Sequence, residues 1–136
     1  MMITVHNIIG DVQKPLHTIE PEATVQAAIT IMASEKISAI PVIENEKLVG
    51  IISERDFVRK IASKKIPAWS VLIREIMTKD VITVSGYDLI TYCMTLMTEN
   101  RIRHLPVMKN KKLIAIISIT DVVRLLNKEK SLEMID

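Results

Sequence analysis

The sequence predicts an α+β fold made of two β-α-β-β-α units, and three observations carry that prediction. One block of sequence occurs twice at a fixed spacing. Within each copy, strand-length aliphatic runs alternate with segments whose apolar residues fall at helical spacing. The apolar residues are almost all aliphatic: 49% of the 136 residues are hydrophobic but only 3% are aromatic. Such a chain suits thin, closely packed layers better than a core built around rings.

The repeat comes first because a missed repeat misassigns the whole fold. The segment AIPVIENEKLVGIISERDFVRKI (Ala39–Ile61) returns as HLPVMKNKKLIAIISITDVVRLL (His104–Leu126), at an offset of 65 residues (118 − 53). Extended without gaps, Ile8–Ile61 lies over Ile73–Leu126. Thr18/Thr83, Met32/Met97, Ile37/Ile102, Pro41/Pro106, Asn45/Asn110, Leu48/Leu113, Ser53/Ser118, Asp56/Asp121 and Arg59/Arg124 are identical across it.

Each copy starts with a short extended piece, Leu16–Ile19 or Val81–Val84. A helix follows, with its apolar face on Val25, Ala28, Ile29 and Met32 in the first copy and on Ile90, Cys93, Met94 and Met97 in the second. Two strands flank a polar turn: Ile40–Ile43, Glu44–Lys47, Leu48–Ile52, and then Leu105–Met108, Lys109–Lys112, Leu113–Ile117. Their near-continuous Val, Ile and Leu content predicts strands covered on both faces, or on one face plus an interface. A second helix spans Glu54–Ala62 and Ile119–Asn127, and the tail Lys128–Asp136 extends the latter. Lys64–Trp69 connects the copies, and Ser70 is expected to cap a lead-in helix Val71–Met77. The domain division is expected at residues 1–68 and 69–136. A unit of about 55 residues with a three-stranded sheet leaves much aliphatic surface uncovered, so the copies are expected to pack about a pseudo-twofold axis, with further surface left for a second chain.

Composition excludes other classes. The net charge of +2 gives no broad basic field, and neither a basic stripe nor aromatic platforms support nucleic-acid binding. The longest apolar runs, Leu48–Ile52 and Leu113–Ile117, fall far short of the ~18 residues of a spanning helix. The N-terminus lacks the basic and long apolar regions of a secretory signal. With Cys93 alone, an intramolecular disulfide is impossible, which suits a reducing, cytoplasmic setting; the residue itself reads as a small helical core residue. No membrane association is expected. His6, His17 and His104 show no metal-ligand spacing, and no nucleophile, base and orienting acid come together. Gly10, Gly50 and Gly86 cannot form a phosphate-cradling glycine loop. No catalytic residue and no metal site are expected.

Two features could carry binding. Ser53-Glu-Arg-Asp56 and Ser118-Ile-Thr-Asp121 stand where a strand becomes a helix. Both read as capping boxes, yet a helix start with a hydroxyl and free N–H groups also suits a phosphate, and a carboxylate there can accept from a ribose diol. Pro41 and Pro106 open strands at a point where a missing N–H is tolerated, with neighbouring backbone groups able to meet a base edge. Taken alone, capping and strand initiation suffice to explain both features, and the motifs by themselves do not separate those roles from binding.

An apolar residue followed by Pro-Val, present twice, and a later Gly-apolar-apolar-Ser-x-x-Asp turn, complete at residues 50–56 and repeated at residues 115–121 with alanine for the glycine, resemble the cystathionine beta-synthase (CBS) domain. The chain is similar to a tandem CBS pair, or Bateman module, over about Ile8–Leu126, and to the small bacterial and organellar proteins that consist of it. The resemblance implies a non-enzymatic regulatory module that binds adenosine-containing ligands (AMP, ADP, ATP, S-adenosylmethionine or NAD(H)) in two clefts, forms a homodimer and acts on an unidentified protein partner. Carried over by position, one cleft would use Thr18, Ala23, Ile37, Ser38, Ala39 and Pro41 around adenine, with Ile116, Ser118, Thr120 and Asp121 around ribose and phosphate. The other would use Ile82, Thr83, Ile102, Arg103, His104 and Pro106 with Ser53, Arg55 and Asp56. The neutral first set implies an AMP-like ligand, AMP being the foremost candidate overall. Arg55, Arg103 and His104 imply a multiply phosphorylated ligand or a dinucleotide in the second. Ala115 departs from the family's glycine, present as Gly50; a need for positive φ or close backbone approach there would compromise the first cleft. The alternative is a dimerisation or docking module without nucleotide affinity.

Overall fold

The computed structural model describes residues 2–11 and 15–135, of which Asp136, the end of the expected tail, is not one. The elements in order are α1 (Val5–Asp11), α2 (Val25–Glu35), β1 (Ala39–Glu44), β2 (Lys47–Ser53), α3 (Glu54–Lys60), α4 (Ile73–Ile76), β3 (Val84–Ser85), α5 (Ile90–Asn100), β4 (His104–Lys109), β5 (Lys112–Ser118) and α6 (Ile119–Ile135). Two 3-10 turns, Ala62–Lys64 and Ala68–Ser70, lie in the connector. The α+β class and the doubled order of elements are as expected, and α6 continues into the tail. Ser70 does not cap α4. Its hydroxyl donates to the Pro67 carbonyl at 2.7 Å, closing the 3-10 turn. The N-cap position belongs to Leu72, whose N–H donates to Glu75 Oε2 at 2.7 Å.

The chain forms two compact units, residues 17–81 and residues 1–16 with 82–136. This differs from a division into sequential halves at 68/69, and the lead-in segments explain the difference. α1 packs not on the repeat that follows it but on the second one: Ile3, Val5 and Ile8 are buried with Ile90, Met97, Leu105 and Val122. Val5 N–H donates to the Asp88 carbonyl (2.9 Å), and Ile90 N–H to the Ile3 carbonyl (3.0 Å). α4 does the same for residues 17–81, where Val25 N–H meets the Val71 carbonyl (2.8 Å) and Ile73 N–H the Ala23 carbonyl (2.9 Å). The lead-ins therefore correspond at an offset of 68 (73 − 5), not 65. A gapless alignment pairs Ile8 with Ile73, whereas the structure pairs Val5 with it.

Within residues 17–81, β1 and β2 form an antiparallel hairpin, and Ile19 adds one parallel bridge to Val42. The expected third strand is reduced to that residue, since Pro21 soon follows with no N–H to continue a ladder. In the other unit the equivalent position is Val84, and Val84–Ser85 pairs parallel to β4 for two residues. Both hairpins turn through two residues of positive φ, Asn45 (51°) and Glu46 (66°), then Asn110 (50°) and Lys111 (64°), the geometry whose twist matches that of the strands. Both ladders shift register at the same place, between Val42 and Ile43 and between Val107 and Met108.

Each core is the helix face read from the sequence set against the hairpin. Val25, Ala28 and Met32 of α2 meet Ile40, Val42 and Ile52; Ile90, Cys93 and Met97 of α5 meet Leu105, Val107 and Ile117. Each fully buried aliphatic side chain contributes roughly 1.5–3 kcal/mol. Burial, reinforced by the Asp88 carboxylate and only partly offset by a backbone hydrogen bond, pushes the Cys93 thiol up to about 11, as befits a core residue. α2 and α5 end alike, on Lys36 (φ 55°) and Arg101 (φ 54°), with Ile37 and Ile102 N–H groups returning to the Met32 and Met97 carbonyls (3.1 and 3.0 Å).

Gly50 needs no special φ, for no glycine has a positive one. It is glycine because Thr78 pairs with Ile51 on the outer edge of β2, through N–H···O bonds of 2.9 and 3.0 Å. This lays Met77 over the position, where a Cβ would sit 2.6 Å from Met77 Sδ.

Candidate functional site

Both Ser-x-x-Asp segments fold into the capping boxes their spacing predicts, because the bonds involved span only three residues. Ser53 N–H and hydroxyl donate to Asp56 Oδ2 at 3.0 and 3.2 Å, and Asp56 N–H donates to Ser53 Oγ at 3.3 Å. In the second copy the corresponding distances are 2.9, 3.0 and 3.3 Å. One carboxylate oxygen of each aspartate is thus committed to its cap, and the side chain is held in one orientation at the positive end of a helix.

The hairpin register sets each box beside the opening of the preceding strand. Ala39 lies opposite Ser53 and His104 opposite Ser118. Glu54 N–H donates to the Ser38 carbonyl (3.0 Å), and Ile119 N–H to the Arg103 carbonyl (2.8 Å). Residues 17–81 accordingly bring together Ile37, Ser38, Ala39 and Pro41 with Ser53, Arg55 and Asp56. Thr18 precedes the Ile19 bridge, and Ala23 stands in the turn before α2. The other unit brings together Ile102, Arg103, His104 and Pro106 with Ile116, Ser118, Thr120 and Asp121, while Ile82 and Thr83 lead into β3. Thr18, Thr83, Arg55, Arg103 and Thr120 are exposed; Ala39, Pro41, Pro106 and Asp121 are buried.

The two half-sites differ electrostatically. Asp56 Oδ1 lies 3.1 Å from Lys60 Nζ, which also donates to the Ile76 carbonyl at 2.7 Å. Asp121, only 5% exposed, has Arg124 Nη1 at 3.9 Å. Lys60 and Arg124 were not singled out from the sequence, although their i,i+4 and i,i+3 spacing from the aspartates is the signal that finds them. Desolvation holds His104 below the ordinary histidine value, aided by Arg103 and opposed by Asp121. At neutral pH the imidazole is uncharged, so of the expected cationic group only Arg55 and Arg103 carry charge. Among the described residues no cluster of His, Cys, Asp and Glu could hold a metal, and no helix is long and apolar enough to cross a membrane.

Comparison with known proteins shows the family and the fold. The CBS domain profile matches twice, at residues 9–63 and 73–128. A mitochondrial CBS domain-containing protein of Arabidopsis thaliana, CBSX3, is 42% identical over 106 residues, covering 74% of this chain and 52% of its own. The chain thus spans about half of that curated relative. A solved CBS domain structure, that of NE2398, is 40% identical with a TM-score of 0.86, covering 91% of this chain and 97% of its own. The CBS domain pair of MJ0100, solved in complex with 5′-methylthioadenosine and S-adenosyl-L-methionine, is 26% identical with a TM-score of 0.82, covering 95% of this chain and 99% of its own.

Proposed function

Since the chain belongs to the CBS-domain family and carries that domain twice, we propose that it is a regulatory module binding adenosine-containing small molecules, with AMP the foremost candidate. The observation that carries the reading is the doubled juxtaposition of a rigidly held carboxylate with a strand opening. A ribose diol needs a carboxylate fixed in place, and a purine needs backbone polar groups and flat aliphatic walls. Each unit offers both within a few residues, Asp56 beside Ser38 and Ala39, and Asp121 beside Arg103 and His104, so this reading pairs each aspartate with the strand opening of its own repeat, where the resemblance pairs it with that of the other. In this reading adenine lies between aliphatic side chains such as Ile37 or Ile102, and Arg55, Thr120 and the helix N-termini take phosphate. The adenosyl ligands of the MJ0100 pair support the ligand class. Ala115 does not argue against it: glycine at the equivalent position makes room for Met77, not for a left-handed backbone.

The module is proposed to work as a cytoplasmic homodimer. Val58 and Val123, equivalent positions on α3 and α6, are 56% and 40% exposed and offer apolar surface for a second copy. Ligand acts on a protein partner only through different affinity for two states of the module.

A thermal-shift and calorimetry panel of AMP, ATP, S-adenosylmethionine and NADH tests the reading. A ligand at ~100 times its Kd adds about 2.7 kcal/mol, roughly 10 °C for a protein of this size. Asp56→Asn and Asp121→Asn, which preserve an acceptor for the caps, should each remove one equivalent of binding. No response to any of the four ligands would leave a docking or dimerisation module as the function.

A further inference from the structure

Matched position by position, the strand openings and caps of the two repeats differ at positions that include Ser38/Arg103, Ala39/His104 and Arg55/Thr120, and only the second of these pairs introduces an imidazole: Ala39, 3% exposed, stands where the second repeat has His104. Pro, Val, Ser and Asp are the same in both. His104 is half-buried, lies opposite Ser118 on β5 and feels the carboxylate of Asp121 from α6 and the guanidinium of Arg103 from its own strand opening. Arg124 approaches the Asp121 carboxylate from α6 as well.

We propose that His104 makes the Asp121 half-site pH-responsive and leaves the Asp56 half-site indifferent to pH, so that acidification releases adenosyl ligand from one site only. The inference rests on the adenosyl-binding reading above. Its chemistry is competition for one carboxylate. Asp121 Oδ2 serves the Ser118 cap, and the ribose hydroxyls must donate to a carboxylate already shared with that cap and with Arg124. A neutral imidazole lets them do so. An imidazolium beside Asp121 is a further cation that draws on the same carboxylate, and its buried position strengthens that attraction relative to water. Burial holds His104 in its neutral form at pH 7, so the ligand-accepting state is the resting one. At Asp56 the neighbour is Lys60, and alanine occupies the histidine position.

The experiment is calorimetric titration of the full chain with 5′-methylthioadenosine, which carries no phosphate of its own to titrate, at pH 8.0, 7.0, 6.0 and 5.5. Two sites are expected at pH 8.0. The one lost in Asp121→Asn should weaken about threefold or more by pH 5.5, while the one lost in Asp56→Asn changes less than twofold. His104→Ala, which copies the first repeat, should flatten the response. A readout that needs no variant is the imidazole proton resonance of His104. Ligand must lower its apparent pKa, because proton and ligand oppose each other reciprocally. Binding at pH 8.0 with equal pH response at both sites, or a His104→Ala protein that keeps the unequal response, overturns this inference alone. No binding at pH 8.0 overturns it together with the adenosyl reading.

Discussion

Gly50→Ala adds one methyl group at a position that the second repeat fills with Ala115, so sequence comparison predicts a harmless change. The structure predicts otherwise. A Cβ at Gly50 would stand 2.6 Å from Met77 Sδ, 3.0 Å from Met77 Cγ and 3.0 Å from the Thr78 carbonyl oxygen. The thioether can swing aside, but the carbonyl is tied to Ile51 N–H at 3.0 Å, with Thr78 N–H returning to Ile51 at 2.9 Å. Relieving the contact means lifting Met77–Thr78 from the edge of β2, or pushing the side chain of Met77 out and losing its packing on the 17–81 core. Overpacking of this kind costs ~1–3 kcal/mol, and the expected value is about 2 kcal/mol, since one of the two groups in the way is backbone. Denaturant unfolding of wild type, Gly50→Ala, Met77→Ala and the double variant forms a cycle. A coupling of about 1 kcal/mol in favour of the double variant is expected, as for residues in direct contact. A neutral Gly50→Ala, or a cycle with no coupling, would refute the assignment of this glycine to Met77.

Other predictions follow from the same geometry. Lys36→Gly and Arg101→Gly, both at left-handed helix ends, should each raise stability by about 0.5–1 kcal/mol in chemical denaturation, since a Cβ is unfavourable in that conformation. Val5→Ala should cost about 2 kcal/mol through lost burial, and hydrogen exchange should place the loosening in residues 82–135 and leave 17–81 protected, because α1 is buried there. His104 is held below its ordinary value of 6.5. The unfolded chain therefore binds the proton first as pH falls, and stability present above pH 7 declines through 6.5 towards the folded-state value; denaturation at pH 7.5 and 5.5 should show the loss in wild type and a smaller one in His104→Ala. The Cys93 thiol, buried and raised to about 11, should resist an aromatic disulfide reagent at pH 8 and react fully on unfolding.

The parts of this protein that were legible in the sequence are those whose bonds are short in sequence. The caps at Ser53 and Ser118 close over three residues, α2 and α5 declare their buried faces through Val25, Ala28, Met32 and Ile90, Cys93, Met97, and the hairpin turns fall between aliphatic runs. Periodicity and hydrogen-bond ring size are local quantities, so one chain suffices to read them, and the duplication at a fixed offset turned two ambiguous motifs into a family resemblance. The tertiary structure alone decided what depends on distant partners. Which repeat claims each lead-in helix is settled by where Ile3, Val5 and Ile8 find a matching apolar surface, and that surface belongs to residues far along the chain. The reason for Gly50 is a methionine brought to it by an edge pairing. The charge state of His104 is set by burial and by a carboxylate on another element, and neither is written in the residues beside it. Burial and long-range electrostatics are sums over whatever the fold brings near, and a linear pattern cannot state that sum until the fold has formed.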